Sequence, residues 1–213
     1  MKVVILAVSK KKGGWCVVGK NFDNLSQWIR LVGDENGREL YDREITIMDG
    51  TRNRLLMTQD VVDVELGGDC PLPYQPENKL YKKIQFIKRL DCIDEKFLDS
   101  AGVVFENNYA YVYANETWKS RSVVLVKVSN LTIEYKEPNG ENVKPKTYAN
   151  FKYGWLNYEN LRVTDPSCRA TESIGNAFVC VSLGEPFNPI ENGVKKWPND
   201  RHYKIVAAVY RGQ

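Results

Sequence analysis

Two groups of side chains in this 213-residue chain have the type and spacing to meet a ligand that is both charged and planar. Lys10, Lys11 and Lys12 stand together ahead of Gly13-Gly14, and Phe151, Tyr153 and Trp155 alternate with Lys152 and Gly154. Ammonium groups neutralise phosphates and aromatic faces stack bases, which are the two demands of a single-stranded nucleic acid. Trp28 and Arg30 repeat the combination, sharing one face if Ser26 to Val32 is a strand. Lys146 and Arg162 flank the aromatic run and are further candidates for backbone contact. Each group also has a plainer reading. Lysines at a turn keep it soluble, Trp28 can close a barrel end with Arg30 in a structural ion pair, and an aromatic triplet on one face can be core.

Catalytic constellations are weaker. Asp60, Asp63 and Glu65 would suit a divalent metal and a nuclease reaction, yet Val62, Val64 and Leu66 alternate against Asp63 and Glu65. That pattern reads as the solvent face of a half-buried strand. His202 is the only histidine, with no readable triad partner. Cys16, Cys70, Cys92, Cys168 and Cys180 are widely spaced with no C-x-x-C pair, so no zinc site is expected. Gly13-Gly14 is not followed by a phosphate-binding helix pattern. The expectation is a non-enzymatic protein without a cofactor. Thr164-Asp165-Pro166 reads as a structural turn whose carboxylate accepts backbone N–H groups.

The elements that must position these residues are strands. Hydrophobic content of 43% with 27% charged residues is that of a folded globular chain, and 12 tyrosines favour pleated surfaces. Lys2 to Ser9, Trp15 to Val18, Ser26 to Val32, Thr58 to Leu66 and Lys82 to Leu90 read as strands of a first half. Ser122 to Val128, continuing through Tyr135, then Tyr148 to Val163 as a hairpin, Ala177 to Leu183 and His202 to Tyr210 read as strands of a second. A short helix is expected at Asp94 to Leu98, capped by Asp94. Val103 to Ala114 stays open between a strand and an ordered connection, and Pro138-Asn139-Gly140 reads as a turn. The fold class is therefore all-β with minor α: residues 1–93 and 121–213 form two packed small barrels joined by 94–120. No run long enough to span a membrane occurs and no secretion signal is readable, so a cytoplasmic protein with reduced thiols is expected. Net charge is only +3, but basic residues cluster in 1–22, 144–152 and 194–213, which would matter if folding brought them together.

Four stretches resemble the dual OB-containing domain family, bacterial proteins expected to hold two OB-like barrels in tandem. They are the opening K-V-V-I-L-A-V-S-K-K-K-G-G-W-C-V-V-G-K, Gln27 to Val32, the run from Phe151-Lys152-Tyr153 to Val163-Thr164-Asp165-Pro166, and the closing Val181 to Phe187 with His202 to Val209. Leu31 stands where the family commonly has Pro. The resemblance implies OB folds and, through them, nucleic-acid binding; it carries over no catalytic residue. A single strand bound by charge and shape is the leading expectation, and a protein-interaction adaptor the alternative.

Overall fold

The structure is a computed structural model that describes residues 1–11, 13–100, 102–115, 121–137, 145–191 and 193–212. Lys12 and the expected turn at Pro138-Asn139-Gly140 lie outside the described residues. The fold is all-β, with two closed barrels.

The first barrel joins β1 (Lys2–Lys11), β2 (Gly14–Asn21), β3 (Asn24–Val32), β6 (Asp60–Asp69) and β7 (Asn78–Arg89) in the circuit β1-β2-β3-β7-β6. Only the β3–β7 pairing is parallel. A small hairpin, β4 (Thr46–Asp49) with β5 (Arg52–Leu55), is inserted between β3 and β6. The second barrel repeats the plan with β9 (Val123–Lys136), β10 (Lys146–Tyr153), β11 (Leu156–Val163), β12 (Glu172–Phe187) and β15 (Arg201–Arg211). Again the third and fifth strands, β11 and β15, close the circuit in parallel. β8 (Tyr111–Tyr113) adds to β15 beside β11, and β13 (Ile190–Glu191) pairs with β14 (Val194–Lys195) in the loop before β15. Numbered within each barrel, both circuits read 1-2-3-5-4-1, the Greek-key order of an OB barrel.

The unbroken apolar run Val3 to Val8 has a physical reason. Val3, Ile5 and Val8 line the first barrel's interior, while Val4, Leu6 and Ala7 pack outward. They meet Leu125, Phe178, Cys180, Ala208 and Tyr210 from the second barrel's outer face in one continuous apolar seam. A strand buried on both faces cannot alternate. Close approach is also set by sequence at Gly19, where a Cβ would lie 2.2 Å from the Val4 carbonyl oxygen. Tyr210 donates its hydroxyl across the seam to the Leu6 carbonyl at 2.7 Å.

Several local expectations change. The helix expected at Asp94 to Leu98 is a single 3-10 turn, Glu95–Phe97, although Asp94 does accept the Lys96 N–H as its cap. Val103 to Ala114 divides into a 3-10 turn ending at Phe105 and β8. Asp60 is not on a solvent face: it is fully buried and accepts from Arg54, Arg89 and the Met57 N–H. Asp60 has the parity of Val62 and Val64, not that of Asp63 and Glu65, so its side chain is buried with theirs. His202 is buried as well, stacked 5.2 Å from Tyr74 of the other barrel with Nδ1 2.8 Å from the Gly184 carbonyl. Asp165 behaves as the sequence implies. One oxygen accepts the Ser167 N–H and the other the Val209 N–H, both at 2.8 Å.

Candidate nucleic-acid interface

β10 carries the parity that decides its two faces. Thr147, Ala149 and Phe151 point into the barrel, while Lys146, Tyr148, Asn150 and Lys152 point out. Antiparallel pairing sets Lys146 opposite Lys136, and Tyr148 opposite Glu134 on one side and Arg162 on the other. The Tyr148 ring consequently lies between two cations, Lys136 Nζ at 4.9 Å and the Arg162 guanidinium at 5.6 Å from its centroid. Glu134 is an acid of this face, and Glu159 on β11 is exposed as well. Glu134 accepts from Asn150 Nδ2 at 2.9 Å and stands 3.6 Å from Lys136. Opposed like charges such as Lys136 and Lys146 destabilise an isolated ladder, so a polyanion across them would relieve a repulsion.

The aromatic triplet does not share one face. Phe151 is core, 3% exposed, and stacks on Tyr158. Tyr153 is half-buried, 4.8 Å from Phe105. Trp155 is 86% exposed, because Gly154 adopts φ +59° and turns the chain before the alternation reaches it. A separate irregularity explains why Tyr158 and Leu161 both point inward three residues apart: Asn160, at φ +56°, absorbs the extra residue of a bulge.

Trp28 and Arg30 are corrected. They are 5% and 3% exposed and lie in the seam. Trp28 donates its indole N–H to Asp99 at 3.1 Å, and Lys20 Nζ lies 5.0 Å over its ring. Arg30 bonds Glu77, Ser122 and Ser182 at 3.0–3.1 Å, and Glu77 also accepts from the Ser122 hydroxyl. Neither side chain is placed to meet an external strand. β2 and β3 form the first barrel's counterpart of the β10–β11 face, and Val18 and Trp28 on it are covered by the second barrel. Burial also holds the Lys20 ammonium below its ordinary value, against the opposing pull of Asp99.

Both barrels have the OB strand order, and the family comparison agrees. The model of the dual OB-containing domain matches residues 1–209. The chain belongs to this family. No curated protein and no solved structure matches it. In OB barrels the second and third strands and the flanking loops form the common ligand face. Of the two such faces in this chain, the seam covers that of the first barrel and leaves β10–β11 open.

Two of the three basic stretches converge. The Lys10 N–H donates to the Thr164 carbonyl at 3.3 Å, two residues from Arg162, so the first turn abuts the end of β11. Lys10 is exposed, its Nζ 4.1 Å over Trp15; Lys11 is paired with Glu39 and Glu185. Lys146 is exposed, and Lys152 and Arg162 are half-buried, the Arg162 guanidinium donating to the Thr147 and Pro145 carbonyls at 3.5 Å. The third stretch does not join them as free charge. Lys195 pairs with Asp200, Lys196 with Glu191 and Arg211 with Glu172, while Lys204 is buried. Sequence reasoning passed over Tyr148 and Lys136. The signal was legible for Tyr148, which shares parity with Lys146 and Lys152; for Lys136 only the register reveals it.

Among the described residues no group of carboxylates, cysteines and histidine is arranged to hold a metal, and no helix is long and apolar enough to cross a membrane.

Proposed function

We propose that this protein binds single-stranded nucleic acid, without catalysis, across the β10–β11 face of its second barrel. The observation that carries the reading is Tyr148 held between Lys136 and Arg162 on an open OB ligand face beside Lys10. Cations there would displace counterions from phosphates, and Tyr148, with Trp155 at the hairpin tip, would offer rings for bases. Asp60 is committed to arginines inside the protein, and Asp63 faces the amino-terminal ammonium at 2.8 Å. Both therefore have structural work that a metal-nuclease reading would leave unexplained.

Titrating short DNA and RNA oligomers at rising salt tests the proposal. Each cation lost from a single-strand contact lowers the slope of log K against log salt by about 0.7, so Lys146→Ala with Arg162→Ala should lower it by about 1.4. No binding at low salt, or a slope indifferent to the double substitution, removes the reading.

A protein-adaptor reading is favoured by one separate feature. Phe187, Ile190 and Val194, in and before the β13–β14 hairpin, are 52%, 71% and 68% exposed. Exposed apolar groups gathered in one loop are a common mark of association. A stoichiometric complex that survives nuclease treatment and is lost on Ile190→Ser with Val194→Ser would support it.

A further inference from the structure

A cavity of about 150 Å³ opens between the two barrels, beside the first basic turn. Its walls are apolar where Trp15, Leu31, Leu183 and Ile205 contribute, and the Arg30 guanidinium borders it. Two polar side chains in its lining are uncommitted. Gln75 is 7% exposed and Ser9 is 5% exposed, yet neither the Gln75 amide nor the Ser9 hydroxyl has a hydrogen-bond partner among the described residues. Their polar atoms are reached by solvent through the cavity, so both side chains keep hydrogen-bonding capacity that a ligand seated there could use. Gly37, at φ +79°, lies beside them: a Cβ there would come within 2.9 Å of the Leu72 side chain, with Asn78 Nδ2 at 3.4 Å and Gln75 Oε1 at 3.9 Å. The Asn78 amide is itself buried with neither of its atoms bonded.

We infer that this cavity is a binding site for a single pyrimidine base. Size points to one ring. An apolar protein cavity of about 150 Å³ accommodates benzene, and a pyrimidine has the same six-membered outline. Chemistry points to a heterocycle with a donor and an acceptor side by side. A side-chain amide presents that same pair, so Gln75 can accept from the ring N3–H of uracil while donating to its exocyclic oxygen; with the amide oxygen and nitrogen exchanged in role it fits cytosine. Apolar walls cover the ring faces, as in pockets that receive a base turned out of its strand. The rim suits a sugar-phosphate. Lys10, Lys11 and Arg38 line it against Glu39 and Glu185; Lys11 is paired with both carboxylates and Arg38 with Glu44, which leaves Lys10 the one of these three cations without a carboxylate partner among the described residues. The pocket adjoins the β10–β11 face, because Thr164 and Ile205 line it and Ile205 is the register partner of Arg162. As the source of the base the inference rests on the single-strand reading above, although a free pyrimidine nucleotide presents the same ring.

Calorimetric titration of the full chain with UMP, CMP, AMP and an oligouridylate, each repeated on Gln75→Leu and Ser9→Ala, separates the sources. UMP and CMP should bind more tightly than AMP, and Gln75→Leu should weaken them about tenfold through the loss of the paired hydrogen bonds. Unchanged melting of each variant confirms that the fold is intact; should Gln75→Leu fail to fold, Ser9→Ala carries the comparison with a smaller loss. Oligouridylate binding that ignores both substitutions, with no binding of UMP or CMP, overturns the pocket and leaves the β10–β11 face standing. UMP binding that is sensitive to Gln75→Leu, without oligomer binding, keeps the pocket as a nucleotide site and removes the strand reading. AMP binding as tightly as UMP overturns the single-ring inference.

Discussion

Replacing Lys204 by Met should change how stability depends on pH, and the size of the change follows from its surroundings. Lys204 is 1% exposed, its ammonium 5.8 Å from the centre of the Phe105 ring and 5.0 Å from that of Tyr158. It donates to the Asn107 carbonyl at 2.8 Å and to the Asn107 side-chain oxygen at 3.1 Å, with no carboxylate partner among the described residues. Burial alone pushes its pKa from 10.5 down to about 8. The folded value lies below the unfolded one, so the unfolded chain binds more protons between the two, and stability rises with pH across that window. From these values the buried charge costs about 3 kcal/mol at pH 7.5 and about 1 kcal/mol at pH 9.5. The stability of the natural chain, measured against Lys204→Met by urea unfolding, should therefore gain about 2 kcal/mol from pH 7.5 to 9.5. Taking the difference between the two proteins cancels the other lysines and tyrosines. The Met variant's absolute stability is set by two opposed effects, relief of the buried charge and loss of the bonds to Asn107, so the slope is the decisive quantity. A difference that stays constant within about 0.5 kcal/mol across the range, well under the expected change, would refute the account of Lys204 as an unpaired buried ammonium.

Other perturbations probe the seam. Arg30→Met should destabilise by about 3–5 kcal/mol in chemical unfolding, because it leaves Glu77, 7% exposed, as an uncompensated buried charge; adding Glu77→Gln should recover much of the loss, and no recovery would deny the coupling. Tyr210→Phe removes one donor from the buried Leu6 carbonyl and should cost about 1–3 kcal/mol, read by the same assay. For His202, burial holds the imidazole below its ordinary 6.5, despite the opposing Gly184 carbonyl and Asp200. Its folded value is the lower, so it subtracts stability as pH falls below about 6.5. Comparison with His202→Asn between pH 7.5 and 5 should show the natural chain losing more, and equal losses would contradict the burial argument.

How much of this was legible beforehand varies by residue, for reasons that can be stated. The doubly apolar run Val3 to Val8, the strand pattern from Val123 onward and the turn at Asp165 are local matters of side-chain type and backbone preference, and they appear in the structure as the sequence implies. The helix at Asp94 shrank to one turn because Asp99 is drawn into the seam, where it accepts from Lys20, Trp28, Arg121 and the Leu125 N–H. Phe151, Tyr153 and Trp155 have one spacing and three environments, since a single left-handed glycine ends the period that the spacing assumes.

The amino-acid sequence by itself determined the strand-rich class, the two-barrel plan and the family. These follow from alternation, turn residues and motifs that neighbouring residues carry between them. Only the tertiary structure decided which aromatic and basic side chains remain outside. Trp28-x-Arg30 and Tyr148 with Lys146 have similar chemistry, but docking one barrel on the other buries the first pair in apolar surface and ion pairs and leaves the second open. That choice depends on contacts between residues more than 90 positions apart, such as Arg30 with Ser122 and Ser182. No local pattern encodes such a contact, because its free energy exists only once both surfaces are assembled.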